Sequence, residues 1–135
     1  MLERAGTDGG FFNPFEAQIW IDGQQLPVAT YTALLAATVS EVGLGFKPTR
    51  RARQEEGRFQ SLCLGMGSTR IGLNAFRVLL GMELRGENFL DHMVTESVIK
   101  LSKPTDMQID GEIFANQREI QLRIGPAVRF FRTNL

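Results

Sequence analysis

Apolar and polar positions alternate strictly over Phe15 to Ile21, where Phe15, Ala17, Ile19 and Ile21 are interleaved with Glu16, Gln18 and Trp20. A period of two is that of a half-buried strand. Asp22-Gly23 follows as a turn that tolerates positive φ, and the apolar, β-branched run from Leu26 to Ser40 predicts a hairpin partner, with Pro27 placing its start at a sheet edge. Phe59 to Met66 is a compact apolar strand ended by Gly65-Met66-Gly67, after which Ser68 or Thr69 is placed to cap a helix. Ile71, Leu73, Phe76, Leu79, Leu80 and Leu84 recur at steps of three and four, which predicts one buried face on a helix of about three to four turns. Arg85 to His92 reads as a polar connection and Met93 to Leu101 as a strand. Met107 to Ile109 and Ile120 to Ile124 read as two further strands, separated by Asp110-Gly111-Glu112 and a short excursion, and Val128 to Phe131 closes the sheet. Many strands at short spacing with one helix predict a mainly β (α+β) architecture, an antiparallel β-sandwich with one packed α-helix. No internal repeat is visible.

Composition narrows the class. The 135 residues are one domain's worth, and 43% hydrophobic residues are enough for a core. The glycine-rich, charged start predicts a flexible lead-in over 1–14 and a single domain over 15–135. Fifteen Lys and Arg balance fifteen Asp and Glu, which argues against nucleic acid as the partner. The apolar stretches are shorter than the roughly 20 residues a membrane span needs. The lone Cys63 forms no internal disulfide and no signal segment opens the chain, so a cytoplasmic location is expected.

Few residues carry chemistry. His92 is the only histidine and Cys63 the only cysteine, so zinc-type ligand sets and self-contained Ser-His-Asp or Cys-His catalysis are excluded. Cys63 reads as a small buried hydrophobe. The Gly43-Leu44-Gly45 turn lacks the third glycine and the Lys-Ser/Thr of a nucleotide loop. Within the long loop from Glu41 to Gly57, Lys47, Arg50, Arg51 and Arg53 place four cations in seven positions, suited to phosphates or anionic head groups or to a solvated loop. Glu55-Glu56 just after them neutralises that charge or holds a divalent cation with loop carbonyls. Asp110-Gly111-Glu112 is either a solvated hairpin turn or a rim that presents a carboxylate base.

The order of these segments resembles the C-terminal lobe of the diacylglycerol kinase family, which includes sphingosine and ceramide kinases and bacterial lipid kinases. The resemblance runs from about Phe15 to Phe131. It is carried by the Gly-x-Gly-aromatic loop, by Ala52-Arg-Gln-Glu-Glu-Gly-Arg-Phe59, by Ile109-Asp-Gly-Glu112 and by the closing Ile124-Gly-Pro-Ala-Val-Arg-Phe130. Glu55-Glu56-Gly57 stands where the family has Asp-Asp-Gly, Pro48 is displaced from the family's proline, and Glu87 stands near a position where a histidine is common.

The resemblance implies ATP-dependent phosphorylation of a lipid hydroxyl such as that of diacylglycerol. Glu112 would be the proton acceptor, supported by Asp110. Glu56, with the backbone carbonyls of Arg53 and Arg58, would take the place of a structural Mg2+ site, and Lys47, Arg50 and Arg51 would lie near the head group or a phosphate. The apolar sandwich would hold the lipid tail. ATP and Mg2+ would serve the full-length enzyme without binding tightly to this chain alone, because the family's Gly-Gly-Asp-Gly-Thr nucleotide motif is not in these 135 residues. The expected partners are an N-terminal nucleotide-binding lobe, the lipid substrate, the inner membrane surface as a peripheral site, and a second copy in a homodimer. A non-catalytic lipid-binding β-sandwich is the alternative from another class, and a plain oligomerisation domain is a third.

Overall fold

A computed structural model describes residues 13–41, 45–80 and 82–129. The expected lead-in falls largely outside them, as do Gly43 and Leu44 of the loop turn. The elements are β1 (Phe15–Ile21), β2 (Gln24–Gln25), β3 (Thr30–Tyr31), β4 (Ala33–Ala37), β5 (Phe59–Leu64), α1 (Ser68–Leu79), β6 (Phe89–Val94), β7 (Glu96–Ile109) and β8 (Glu112–Arg123). They form two antiparallel sheets and one helix. The first sheet runs β2-β1-β7-β8 with β3 also on β1, and the second runs β4-β5-β6.

Alternation in β1 turns Ala17, Ile19 and Ile21 inward, where they meet Tyr31, Phe59, Cys63, Val94 and Ile99 in the core between the sheets. Register carries the pattern across the first sheet, pairing Ile19 with Ile99 and Ile99 with Ile120. In the second sheet the central strand β5 is buried along its whole length. Its Phe59, Ser61 and Cys63 face the sandwich, while Gln60, Leu62 and Leu64 face outward under further cover. Leu64 and Met66 pack with Ile71 of α1, and the loop from Gly45 to Gly57 covers the rest. A strand covered on both faces reads as a continuous apolar run, which is how this segment reads in the sequence.

The chain crosses between the sheets at two single threonines. Thr32 separates β3 from β4, and its hydroxyl lies 2.9 Å from the Leu64 carbonyl and 2.8 Å from that of Met66, which accept its hydrogen bond. Thr95 separates β6 from β7 and is held by Asp22: the carboxylate Oδ1 accepts from the Thr95 amide at 2.9 Å, its hydroxyl at 2.8 Å and the Glu96 amide at 2.9 Å. Asp22-Gly23 makes a two-residue hairpin turn with positive φ at both positions, 45° and 83°. Its aspartate therefore both turns β1 into β2 and pins the corner where β6 ends and β7 begins.

The structure departs from the sequence reading in several places. Leu26 to Ser40 is not one strand, because Pro27 has no N–H to pair and Thr32 sends the chain to the other sheet. The polar connection before His92 ends early, since β6 already starts at Phe89. Met93 to Leu101 is split at Thr95. β7 and β8 are joined by Asp110-Gly111 alone, with φ of 49° and 91°, so there is no excursion. Residues 124–129 form no strand, and the rest of the expected closing strand lies outside the described residues. Gly67, which has no side chain to cap with, holds the helix N-cap.

The helix face is the largest correction. Ile71, Asn74 and Val78 are buried, whereas Leu73, Phe76, Leu79 and Leu80 are 60–64% exposed. Asn74 decides the orientation. Its amide donates to the carbonyls of Arg70 and Arg85 at 2.8 Å each, and its oxygen accepts from the Arg85 amide at 2.8 Å. A buried asparagine whose amide is tied at both ends to backbone outweighs a purely apolar choice of face.

Candidate functional site

The residues singled out in the sequence fall into two places. The first is the tip of the β7–β8 hairpin. Beyond Leu101 this ribbon has solvent on both faces, with register shifts between Lys100 and Met107 and Asn116 at a φ of 58°. Asp106 steadies the irregularity by accepting from the Asn116 amide at 3.0 Å. At the tip, Asp110 sits in the turn and Glu112 opens β8. Both are exposed, and among the described residues neither carboxylate makes a hydrogen bond or ion pair. Glu112 pairs with Ile109, and Met107 pairs with Phe114 on the same face of the ribbon, so the carboxylate stands beside exposed apolar side chains.

The second place is the loop over the outer face of the second sheet. It is a packed cap with a buried Thr49 and Ala52. The Thr49 hydroxyl donates to the Val39 carbonyl at 2.7 Å. The Arg51 amide donates to the buried Gln60 side chain at 2.8 Å, and Gln60 in turn donates to Asp91 at 2.9 Å. The Arg51 guanidinium lies 3.3 Å from the same Asp91 carboxylate. Lys47 lies 3.7 Å from Glu41. Arg58 is shared between Glu55 at 3.2 Å, Asp22 at 3.4 Å and the Met93 carbonyl at 3.0 Å. The cations expected to face an anion are thus largely matched within the protein. A cleft of about 310 Å³ remains, lined by Arg50, Arg51, Gln54, Gln60, Glu83 and Asp91 among others.

For magnesium the loop offers a partial set of protein ligands. Among the described residues no three His, Cys, Asp or Glu side chains come together. Glu55 is committed to Arg58, which leaves one carboxylate, Glu56, with the carbonyls of Arg53 and Arg58. Magnesium usually keeps several waters and takes one or two carboxylates, so these three oxygens with waters could complete its octahedron. The positive charge at this point of the fold is Arg58 itself.

Electrostatics single out a residue that the sequence marked only as a turn. Burial pushes the Asp22 carboxyl upward, and the Thr95 hydroxyl, the Thr95 and Glu96 amides and Arg58 together outweigh it, so its pKa lies below the ordinary 3.8. Burial raises Cys63 to about 11, partly offset by Ser61, and raises Tyr31 to about 12 with help from neighbouring Cys63. These are core values, consistent with Cys63 as a buried hydrophobe. Asp91 and Gln60 were also missed. The alternation of Phe89, Asp91 and Met93 around an outward polar site was the available signal, hidden because the segment was read as a connection.

Among the solved structures that match the chain over most of its length are three from Bacillus anthracis str. Sterne, two described as putative diacylglycerol kinases and one as a diacylglycerol kinase. One superposes with a TM-score of 0.63 at 14% identity, covering 85% of this chain and 38% of its own. The second gives 0.60 at 13%, covering 82% and 37%, and the third 0.59 at 17%, covering 84% and 39%. The fold is that of one lobe of these structures. At such identities the likeness is one of fold, and the chain spans under two-fifths of their length. No family model and no curated protein matches the sequence.

Proposed function

We propose that this chain is the acceptor-side lobe of an ATP-dependent lipid kinase, with Glu112 as the proton acceptor. The observation that carries the reading is the Asp110-Gly111-Glu112 turn. It stands unpaired at the end of a projecting ribbon, on a fold shared with part of the assigned diacylglycerol kinases. The hydroxyl oxygen of the lipid attacks the γ-phosphorus of ATP, the bond to the β-phosphate oxygen breaks, and the hydroxyl proton passes to Glu112. A carboxylate within reach of the attacking hydroxyl is the group this step needs. Asp110, across the turn, is the supporting carboxylate in this reading. The neighbouring Met107, Ile109 and Phe114 suit the glycerol-to-acyl region of the acceptor. The nucleotide would come from a second lobe, facing the tip.

The space between the sheets does not serve as the tail site in this reading. It is filled by Ile19, Tyr31, Cys63 and their neighbours, and the clefts lined by Trp20 and Lys100 and by Arg50 and Asp91 open on outer faces.

The test is transfer of labelled phosphate to diacylglycerol by a longer form of the chain carrying a nucleotide-binding lobe. Glu112→Gln is expected to lower the rate by about 10²- to 10⁴-fold, the usual contribution of a general base, with the melting temperature unchanged. Full activity in that variant would remove Glu112 from the chemistry. A non-catalytic lipid-binding lobe is favoured by one observation, the packed and charge-matched loop, and it predicts lipid binding with no phosphate transfer in the longer form.

A further inference from the structure

The chain makes two hairpin turns from the same dipeptide. Asp22-Gly23 and Asp110-Gly111 each take positive φ at both residues, 45° and 83° in the first and 49° and 91° in the second. Glycine has no side chain to shield its own amide nitrogen, and a Cβ built on either glycine would meet nothing within 4 Å. The two turns share a backbone and differ in what holds the aspartate. At Asp22, Oδ1 accepts from the Thr95 amide, the Thr95 hydroxyl and the Glu96 amide, and Oδ2 lies 3.4 Å from Arg58. The Asp22 amide also donates to the Glu96 carbonyl at 3.0 Å. Among the described residues nothing of the kind holds the Asp110 carboxylate. The ladder closes at Ile109 with Glu112, which leaves Asp110 and Gly111 outside it, and the strands on either side are largely exposed on both faces.

We infer that Asp110 is a site of spontaneous isomerisation, at which the side-chain carboxyl closes on the Gly111 amide nitrogen and reopens as isoaspartate. The steps need only water. The nitrogen's electron pair forms a bond to Cγ of the neutral carboxyl, and the displaced hydroxyl leaves with the amide proton as water, giving a five-membered cyclic imide. Water then adds to the Asp110 α-carbonyl carbon, whose bond to the Gly111 nitrogen breaks as that nitrogen takes back a proton. The main chain now runs through Cγ, with the carboxylate on Cα, and mass and net charge are unchanged. Ring closure requires the carboxyl to swing onto the next nitrogen, a torsional change that an exposed loop tip tolerates. Asp22 is barred from it twice over: its carboxylate is tied at both oxygens, and its depressed pKa keeps the neutral acid scarce. An extra main-chain carbon in a two-residue turn disturbs the Ile109–Glu112 pair that closes it, so the change is conformational as well as chemical. The inference draws on the two turns alone and holds whether or not Glu112 takes a proton.

Ageing of the full chain in neutral buffer over days to weeks tests it. Digestion with an endoproteinase that cuts before aspartate and not before isoaspartate, followed by electron-transfer fragmentation, reads each position separately. That includes Asp8-Gly9, which lies outside the described residues. Isoaspartate is expected to accumulate at Asp110 at least about tenfold faster than at Asp22, the ratio being set by how rarely the Asp22 corner opens. In urea the two rates should converge. Thr95→Val, which removes one bond from Asp22, should raise the rate at Asp22 and leave that at Asp110 unchanged. Equal rates in the folded chain would overturn the inference. So would a gap of the same size in urea, or an Asp110 that stays intact in the folded chain while the unfolded chain isomerises there.

Discussion

At the scale of single residues, Asp22 contributes most per atom. One carboxylate accepts three hydrogen bonds from the Thr95–Glu96 corner and meets Arg58 from the other sheet. Because its folded pKa is depressed, its contribution to stability is present in full above pH 3.8 and is lost as the pH falls through the folded value. Asp22→Asn, which keeps the left-handed turn accessible, should cost about 1 kcal/mol at pH 7 and flatten the loss of stability between neutral pH and pH 3. Urea unfolding at a series of pH values checks both, and an unchanged acid limb would count against the clamp. Ser97 is the opposite case. Its hydroxyl is buried among apolar neighbours with no hydrogen-bond partner, so Ser97→Ala should be neutral or stabilising by up to about 1 kcal/mol. A loss of stability on that substitution would reveal a partner that the geometry does not show.

At the scale of elements, the legibility of the sequence followed how local each determinant is. β1 and its Asp22-Gly23 turn read correctly because alternation and a turn dipeptide are complete within nine residues. β5 was legible as an apolar run for a related reason, since a strand covered on both faces needs no partner's pattern to be recognised. α1 was placed correctly and rotated wrongly. Its strongest apolar periodicity belongs to the exposed stripe, and the buried face is fixed by Asn74, whose partner Arg85 lies eleven residues away in a loop. The candidate site divides in the same way. Asp110 and Glu112 were legible as a turn at a strand end, but the length of the ribbon that carries them depends on the register of β7 on β8. Lys47 and Arg51 were legible as cations, and the acids that meet them, Glu41 and Asp91, were not. The ribbon offers its own test. Its distal half, residues 102–118, is exposed on both faces, so amides there should exchange with deuterium far faster than those of β1 and β5, whose opening approaches global unfolding. Equal protection along β7 would mean that the ribbon is covered in solution.

At the scale of the whole molecule, two sheets are joined by corners one residue long, and a helix and a packed loop close the outer face of the smaller one. The ribbon that carries Glu112 leaves this body with solvent on both faces, so its backbone hydrogen bonds are among the readiest to open. The proposed role of Glu112 thereby falls at the least buried part of the lobe.

The pairing of Ile19 with Ile99 has a consequence for how this protein comes into being. Strand β1 stays without its main neighbour until about eighty further residues have been synthesised, and long separations of this kind slow folding through the cost of closing the intervening chain. Throughout that interval Ala17, Ile19 and Ile21 lie on an open edge. This lobe is therefore most exposed to misassociation between emergence of β1 and completion of β7.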